Sequence, residues 1–222
     1  MAVAVQILGT EGTGKTHSLR NLDPKSTYYI NCDKKSMPFR GWRKKYSEEA
    51  KNYAKTSDPI LIQKIIAGIS KSRKDIKTVV VDTVNSIMSD KEMSERKKKG
   101  FDKWMDLAGD IYDLYALANS EDLREDLIVV FIGHVEAYPD NYVTRWRLKT
   151  NGAKLTKLNL EGKLTYTFYS NAEQEGETTN YYFTTNTDGF NSARSPEGLF
   201  NYKVPNDLAP MLIEINKFEK GE

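Results

Sequence analysis

Residues Gly9-Thr10-Glu11-Gly12-Thr13-Gly14-Lys15-Thr16 form a complete G-x-x-x-x-G-K-[ST] phosphate loop. Each position answers a need of phosphate chemistry. The glycines let the backbone curl until its N–H groups point at a β-phosphate. The helix that should follow turns its positive N-terminal end towards the same group. Lys15 can bridge the β- and γ-phosphates, and the Thr16 hydroxyl can ligate Mg²⁺. His17 completes the stretch that would contact a nucleotide. The motif needs a strand before it and a helix after it. Ala2–Leu8 reads as a short buried strand, and Lys15–Asn21 reads as a helix ended by Asp23-Pro24. The combination predicts ATP as the bound nucleotide, with Mg²⁺.

Further candidates fall at the ends of strands, where open parallel sheets bind ligands. Lys77–Asp82 is an apolar strand ending in an acid. Asp82 there can hold Mg²⁺ through its water shell, or it can cap the helix that follows. Asp33 comes just after the strand Thr27–Asn31. It can orient or deprotonate the attacking water, or close an ordinary Asx turn. His134 follows the apolar run Asp126–Gly133. It is placed to sense a γ-phosphate, or it is a structural histidine. Glu136 and Glu11 are fallback candidates for the base.

The elements that must position these groups can be read from periodicity. Ile62, Ile65, Ile66 and Ile69 have helical spacing, so Ile60–Ser72 is expected to be a core-facing helix. Phe101, Trp104, Met105, Ala108, Ile111, Tyr112, Tyr115 and Ala118 predict a second long helix that buries this stripe. Lys34–Tyr46 mixes basic residues with Phe39, Trp42 and Tyr46. It reads as a solvated loop leading into a helix, and such mixtures also bind phosphates or bases. Strand and helix alternate up to His134, and the strands are continuously apolar, which implies a parallel sheet covered on both faces. Beyond it, Arg145–Leu148, Lys163–Tyr169 and Asn180–Thr185 read as antiparallel strands, and Asn206–Phe218 as a closing helix.

Composition sets the limits. A chain of 222 residues holds one substantial core. Its net charge is only +2, so a nucleic-acid site has to be a local patch. Cys32 is the sole cysteine, which precludes an intramolecular disulfide and fits a reducing cytosol. One Cys and two His argue against a structural zinc site. No run is long and apolar enough for a membrane span. A soluble cytoplasmic protein is expected, with no membrane partner.

The phosphate loop, Thr78-Val79-Val80-Val81-Asp82-Thr83 and Phe131-Ile132-Gly133-His134-Val135 together resemble RecA-type ATPases. The chain is most similar to the small phage-encoded ATP-binding proteins of the Sak single-strand-annealing group. The tail carries the likeness further, in Lys149-Thr150-Asn151-Gly152, Tyr182-Phe183-Thr184-Thr185-Asn186 and Ala193-Arg194-Ser195-Pro196. The resemblance implies an α/β RecA-like P-loop NTPase fold. It has a mainly parallel central sheet with helices on both faces, and antiparallel strands towards the C-terminus. Residues 1–222 would be one core domain. Lys15, Asp33, Asp82 and His134 would be catalytic, and Thr16 and Asp82 would hold the metal. The family's mobile DNA-binding loops would fall at 89–100 and 136–153. The first carries Lys97, Lys98 and Lys99, and the second Arg145, Trp146 and Arg147.

The expected activity is therefore Mg²⁺-dependent, DNA-stimulated ATP hydrolysis by a protein that binds single-stranded DNA and promotes annealing or strand exchange. The resemblance implies a homo-oligomer, ring or filament, and a single-strand-binding protein as a further partner. A small-molecule phosphotransferase such as a nucleotide kinase is the alternative, with Arg145 and Arg147 as lid residues. A GTP switch fits poorly. Asn216-Lys217-Phe218-Glu219 is the nearest approach to a guanine-reading motif, and it falls in an expected helix.

Overall fold

The computed structural model describes residues 1–97 and 102–222, and the side chains of residues 102–104 are also outside the description. The strand before the phosphate loop is β1 (Val3–Gly9), and β2 (Thr27–Asn31) is the second strand foreseen. A four-residue helix α1 (Trp42–Lys45), a short strand β3 (Tyr53–Ala54) and helix α2 (Pro59–Ser72) lead to β4 (Thr78–Asp82). Helices α3 (Val84–Ser94) and α4 (Asp102–Ala118) precede β5 (Ile128–Asp140). Then follow β6 (Val143–Leu148), α5 (Ala153–Leu158), β7 (Tyr166–Glu175), β8 (Thr178–Thr184), β9 (Lys203–Pro205) and the closing helix α6 (Leu208–Glu219).

Among the described residues the strands form one sheet in the order β3-β2-β4-β5-β1-β7-β8-β9, with β6 paired to β5 alone. From β3 to β1 all pairings are parallel. This is the mainly parallel α/β layout that the alternating elements imply. The two faces sort by the period of two. Ala4 and Leu8 of β1, Val79 and Val81 of β4, and Val129 and Phe131 of β5 face α2, α3 and α4. Val5, Ile7, Val80, Val130 and Ile132 face α6 and the aromatics around α1. Gln6 is the polar exception on β1, and its Nε2 donates to the Tyr115 hydroxyl of α4 at 2.6 Å.

Several expectations are corrected. The turn after the phosphate loop is a 3-10 helix, Thr16–Asn21, and not an α-helix. The helix is short and ends where Leu22 turns extended. The segment 89–100 is not simply a loop, because α3 runs to Ser94. Lys98, Lys99, Phe101 and Trp104 lie outside the described residues or side chains. Lys97 is exposed just after α3. Nor is 136–153 a loop. β5 continues past His134 and pairs antiparallel with β6 from Val135↔Leu148 to Asp140↔Val143. The expected strand at 163–169 begins at Tyr166 and runs parallel to β1, so only its β8 side is antiparallel. On α4 the buried face is Leu107, Ala108, Ile111, Leu114, Tyr115 and Ala118, while Met105 and Tyr112 are exposed. Tyr112 instead lies under the Lys163 ammonium, 4.1 Å from its ring centre. The aromatics near α1 are structural. Tyr46 is buried, and Phe39 and Trp42 pack on the same core face.

Candidate functional site

The phosphate loop connects β1 to the 3-10 helix at the carboxyl end of the parallel strands. Two glycines are required by geometry. A Cβ on Gly9 would lie 2.6 Å from the Ser170 carbonyl oxygen and 2.7 Å from Thr13 Oγ1. Gly14 has φ +88° and faces Tyr181 and Asn206. The loop is braced from within by Thr13 Oγ1, which donates to the Thr10 carbonyl at 2.9 Å. It is braced from β7 by Ser170 Oγ, which donates to the Thr13 carbonyl at 2.6 Å.

Lys15 lies inside this loop, and its Nζ donates to the carbonyls of Gly9 and Thr10. Burial pulls its ammonium down to about 8, with Asp82 and Glu11 opposing the shift. Thr16 Oγ1 donates to Asp82 Oδ2 at 2.7 Å. Asp82 is buried, and Tyr29 donates a second bond to the same Oδ2 at 2.7 Å. Burial pushes the Asp82 carboxyl up, while the bonds from Thr16 and Tyr29 pull it down. Its other oxygen, Oδ1, is buried and has no hydrogen-bond partner among the described residues. A hydroxyl beside a buried carboxylate with a free oxygen is a hard-oxygen donor set that fits Mg²⁺. Thr16 and Asp82 would hold it. The helix-capping alternative fails, because the cap of α3 is Thr83 and not Asp82. The Asp82–Thr83 peptide is cis.

Asp33 forms no Asx turn of its own. Its Oδ1 accepts from the Thr83 N–H at 3.1 Å, the Thr83 hydroxyl at 2.7 Å and the Ser86 hydroxyl at 2.6 Å. Its Oδ2 pairs with Lys35. Burial alone would raise this carboxyl, but the bonds from Lys35, Ser86 and Thr83 outweigh it and hold the group at about 2. Lys35 and Thr83 both line the nucleotide cleft, whereas Asp33 stands behind them.

His134 lies level with Gly9 on the neighbouring strand. Its N–H donates to Asn85 Oδ1 at 2.7 Å, and its Nδ1 is 3.4 Å from the Glu11 carboxylate. Burial and then the Lys15 charge lower its pKa, so the ring is neutral near pH 7. The cleft, about 470 Å³, is lined by Glu11, Lys15, Thr16, His17, Lys35, Thr83 and His134, with Pro38 and Tyr181 as its less polar walls. His17 is held near Arg20, and burial lowers its pKa.

The remaining predicted residues lie elsewhere. Glu136 does not line the cleft. It pairs with Arg147 at 2.9 Å on the β5–β6 ribbon. Arg147 also covers the Tyr138 ring, 4.4 Å from its centre. Arg145 pairs with Asp140 at 2.7 Å, and Trp146 between the two arginines is exposed. Sequence reasoning missed Ser170, Tyr181 and Asn206, which reach the loop from β7, β8 and the turn before α6, and Tyr29, which reaches Asp82 from β2; none carries a motif.

A family model described as an AAA domain matches residues 1–195. The chain belongs to this AAA domain family. It is an AAA-type P-loop ATPase. Among solved structures, the AAA domain is similar to the KaiC-like protein PH0186 from the hyperthermophilic archaeon Pyrococcus horikoshii OT3. That likeness has a TM-score of 0.45 and 12% identity, covering 82% of this chain and 76% of that one. No curated protein matches the chain. No helix among the described residues of the AAA domain is long and apolar enough to cross a membrane.

Proposed function

We propose that this ATPase binds single-stranded DNA and couples its nucleotide state to annealing or strand exchange, as a phage-type recombination protein does. The observation that carries the reading is the course of β5. One strand pairs with the phosphate-loop strand through Gly9↔His134 and then continues into the ribbon that bears Tyr138, Arg145, Trp146 and Arg147. A change at the γ-phosphate end is thereby linked by an unbroken strand to a surface of basic and aromatic residues. Such surfaces suit single strands, since cations follow the backbone and aromatic rings stack on bases.

In this reading Lys15 leaves its carbonyl partners for the β- and γ-phosphates, where it stabilises charge that develops during hydrolysis. Thr16 and Asp82 would hold Mg²⁺, which supplies further stabilisation of that charge when bound. His134, neutral and level with Gly9, is a hydrogen-bonding group for the γ-phosphate. Asp33 is a positioning residue that fixes Lys35 and Thr83 at the cleft wall. The exposed Lys97, with Lys98 and Lys99 after it, adds positive charge for the DNA backbone. The ribbon is short, so tight binding requires subunits side by side on one strand, in a ring or filament, with a single-strand-binding protein as a natural further partner.

A kinase lid is not favoured by the geometry. Arg145 and Arg147 are paired with Asp140 and Glu136 and do not line the nucleotide cleft. The test is ATP turnover with and without a single strand, against a panel of nucleosides and nucleotides, together with anisotropy of a labelled strand. Turnover stimulated by DNA, and binding tighter with ATP than with ADP, are expected. Failure to bind a single strand at low salt in every nucleotide state, with phosphate transferred to a nucleoside, would establish the kinase instead.

A further inference from the structure

A second cleft, of about 340 Å³, opens between the β5–β6 ribbon and residues 190–194. It shares no lining residue with the nucleotide cleft. Its size falls at the lower end of small-molecule pockets, which span roughly 300–1,000 Å³. Trp146 and Phe190 stand on its walls, 39% and 48% exposed. Their backbones are tied, the Trp146 N–H donating to the Phe190 carbonyl at 2.7 Å. Large aromatics left this open on facing segments are surfaces awaiting a flat partner.

Most of the polar lining is committed within the protein. Thr150 and Thr156 bond each other at 2.8 Å. Asn191 is spent on Asp188 and on the Ala193 N–H. The buried Glu161 carboxylate is held by Ser192 and Tyr169. Arg194 differs. Its backbone pairs with Thr167, and its guanidinium, whose charge acts on the Glu161 carboxyl, makes no hydrogen bond or ion pair among the described residues. Among the described residues the cleft therefore offers two stacking surfaces and a guanidinium that makes no hydrogen bond or ion pair.

We propose that this cleft takes one nucleotide of the bound single strand, with its base against Trp146 and Phe190 and an adjacent phosphate on Arg194. The proposal rests on the single-strand reading above. Because most side chains able to read base edges are already bonded within the protein, capture is mainly by stacking and tolerates any base. The cleft then acts as a registering pocket that pins one nucleotide per subunit without fixing sequence.

The test compares an oligothymidine with an abasic sugar–phosphate strand of the same length, by fluorescence anisotropy, with thermal melts to confirm folding. Phe190→Ala should weaken thymidine-strand binding by roughly five- to a hundred-fold and leave abasic-strand binding unchanged, since only the base stacks. Phe190→Tyr should restore it. Arg194→Ala should weaken both strands and reduce the salt slope by about 0.7. If the wild type binds the strand but Phe190→Ala has no effect, or weakens both strands equally, the cleft takes no base and the single-strand reading survives alone. If the wild type binds neither strand in any nucleotide state, the reading and the proposal fall together. Saturation of the cleft by free thymidine monophosphate under those conditions would assign it to a small-molecule substrate.

Discussion

Asp33 and Thr83 form one unit: a single carboxylate oxygen of Asp33 accepts both the backbone N–H and the hydroxyl of Thr83, at 3.1 and 2.7 Å. The same threonine caps α3 through the Ser86 N–H. The residue after β2 thus sets the geometry just beyond Asp82. A general base works best with a pKa near the working pH, and Asp33 is held at about 2. Its effect on hydrolysis should therefore run through Lys35 and Thr83. Asp33→Asn and Lys35→Ala are each expected to lower turnover with ATP affinity kept, and the double variant should be little worse than either. Residues that act as a pair are non-additive in this way. Strict additivity, or normal turnover in Lys35→Ala with none in Asp33→Asn, would restore Asp33 as the base.

The same carboxylate makes a pH prediction. Its folded value of about 2 lies below the ordinary 3.8, so ionised Asp33 stabilises the fold. That contribution is complete above the unfolded pKa and is lost as pH falls from about 4 towards 2. Melting curves of wild type and Asp33→Asn should differ most above about pH 4 and converge below it. A difference that stays constant down to pH 2.5 would show that the carboxylate is not held ionised.

Lys15 titrates at about 8 because it is buried. Phosphates beside it favour the ammonium, so ATP binding at pH 8 should take up a fraction of a proton, and binding at pH 6.5 almost none. Calorimetry in buffers of different ionisation enthalpy measures this uptake directly. Affinity should also fall as pH rises through 8. Lys15→Met should show no such uptake. Equal uptake in that variant would move the titration to another group.

Asp82→Asn keeps acceptors for Thr16 and Tyr29 but loses the charge opposite Mg²⁺. Nucleotide binding without metal should survive, while the gain in affinity on adding Mg²⁺ should shrink and turnover should fall by roughly two orders of magnitude or more. An unchanged response to magnesium titration would leave Asp82 as a purely structural acceptor.

The legible part of this protein is the part fixed by local sequence. The phosphate loop is contiguous, so it shows in eight residues. β4 is recognisable because both of its faces are buried, which makes it apolar throughout. The course of β5 beyond His134 was not legible. Its buried half and its ribbon half follow different patterns, and the change at Gly133-His134 looks like an end. The parallel pairing of β7 with β1 was hidden for a related reason. It depends on where the chain returns after α5, and that is decided by long-range packing. Asp33 was placed correctly at the end of β2, but its partners Thr83 and Ser86 are fifty residues away and no spacing announces them. The braces on the phosphate loop come from residues more than 150 positions distant, such as Ser170 on Thr13.

Asn206 is the clearest of those distant contacts and yields the last prediction. It is 4% exposed and sits at the turn into α6. Its Nδ2 donates to Ser170 Oγ at 3.0 Å, and Ser170 in turn donates to the Thr13 carbonyl. Its own carbonyl accepts from Arg20 Nη1 at 2.6 Å, behind the phosphate loop. Its Oδ1 would lie 3.2 Å from a Cβ on Gly14. The side-chain amide therefore ties the turn into α6 to Ser170, and through Ser170 to the Thr13 carbonyl of the loop. Asn206→Ala removes the bond to Ser170 Oγ while its backbone carbonyl keeps Arg20, which should cost about 1 kcal/mol of stability. A loop that is no longer held in its phosphate-binding shape must be ordered on binding, so ATP affinity should fall by a comparable amount. Saturating ATP should bring turnover back close to the wild-type rate, because no group that meets the γ-phosphate has been removed. Thermal melts, calorimetric ATP affinity and kcat together check this. A lowered Tm with unchanged ATP affinity would make Asn206 a fold contact only, and a lowered kcat at saturation would place it nearer the chemistry than the structure does.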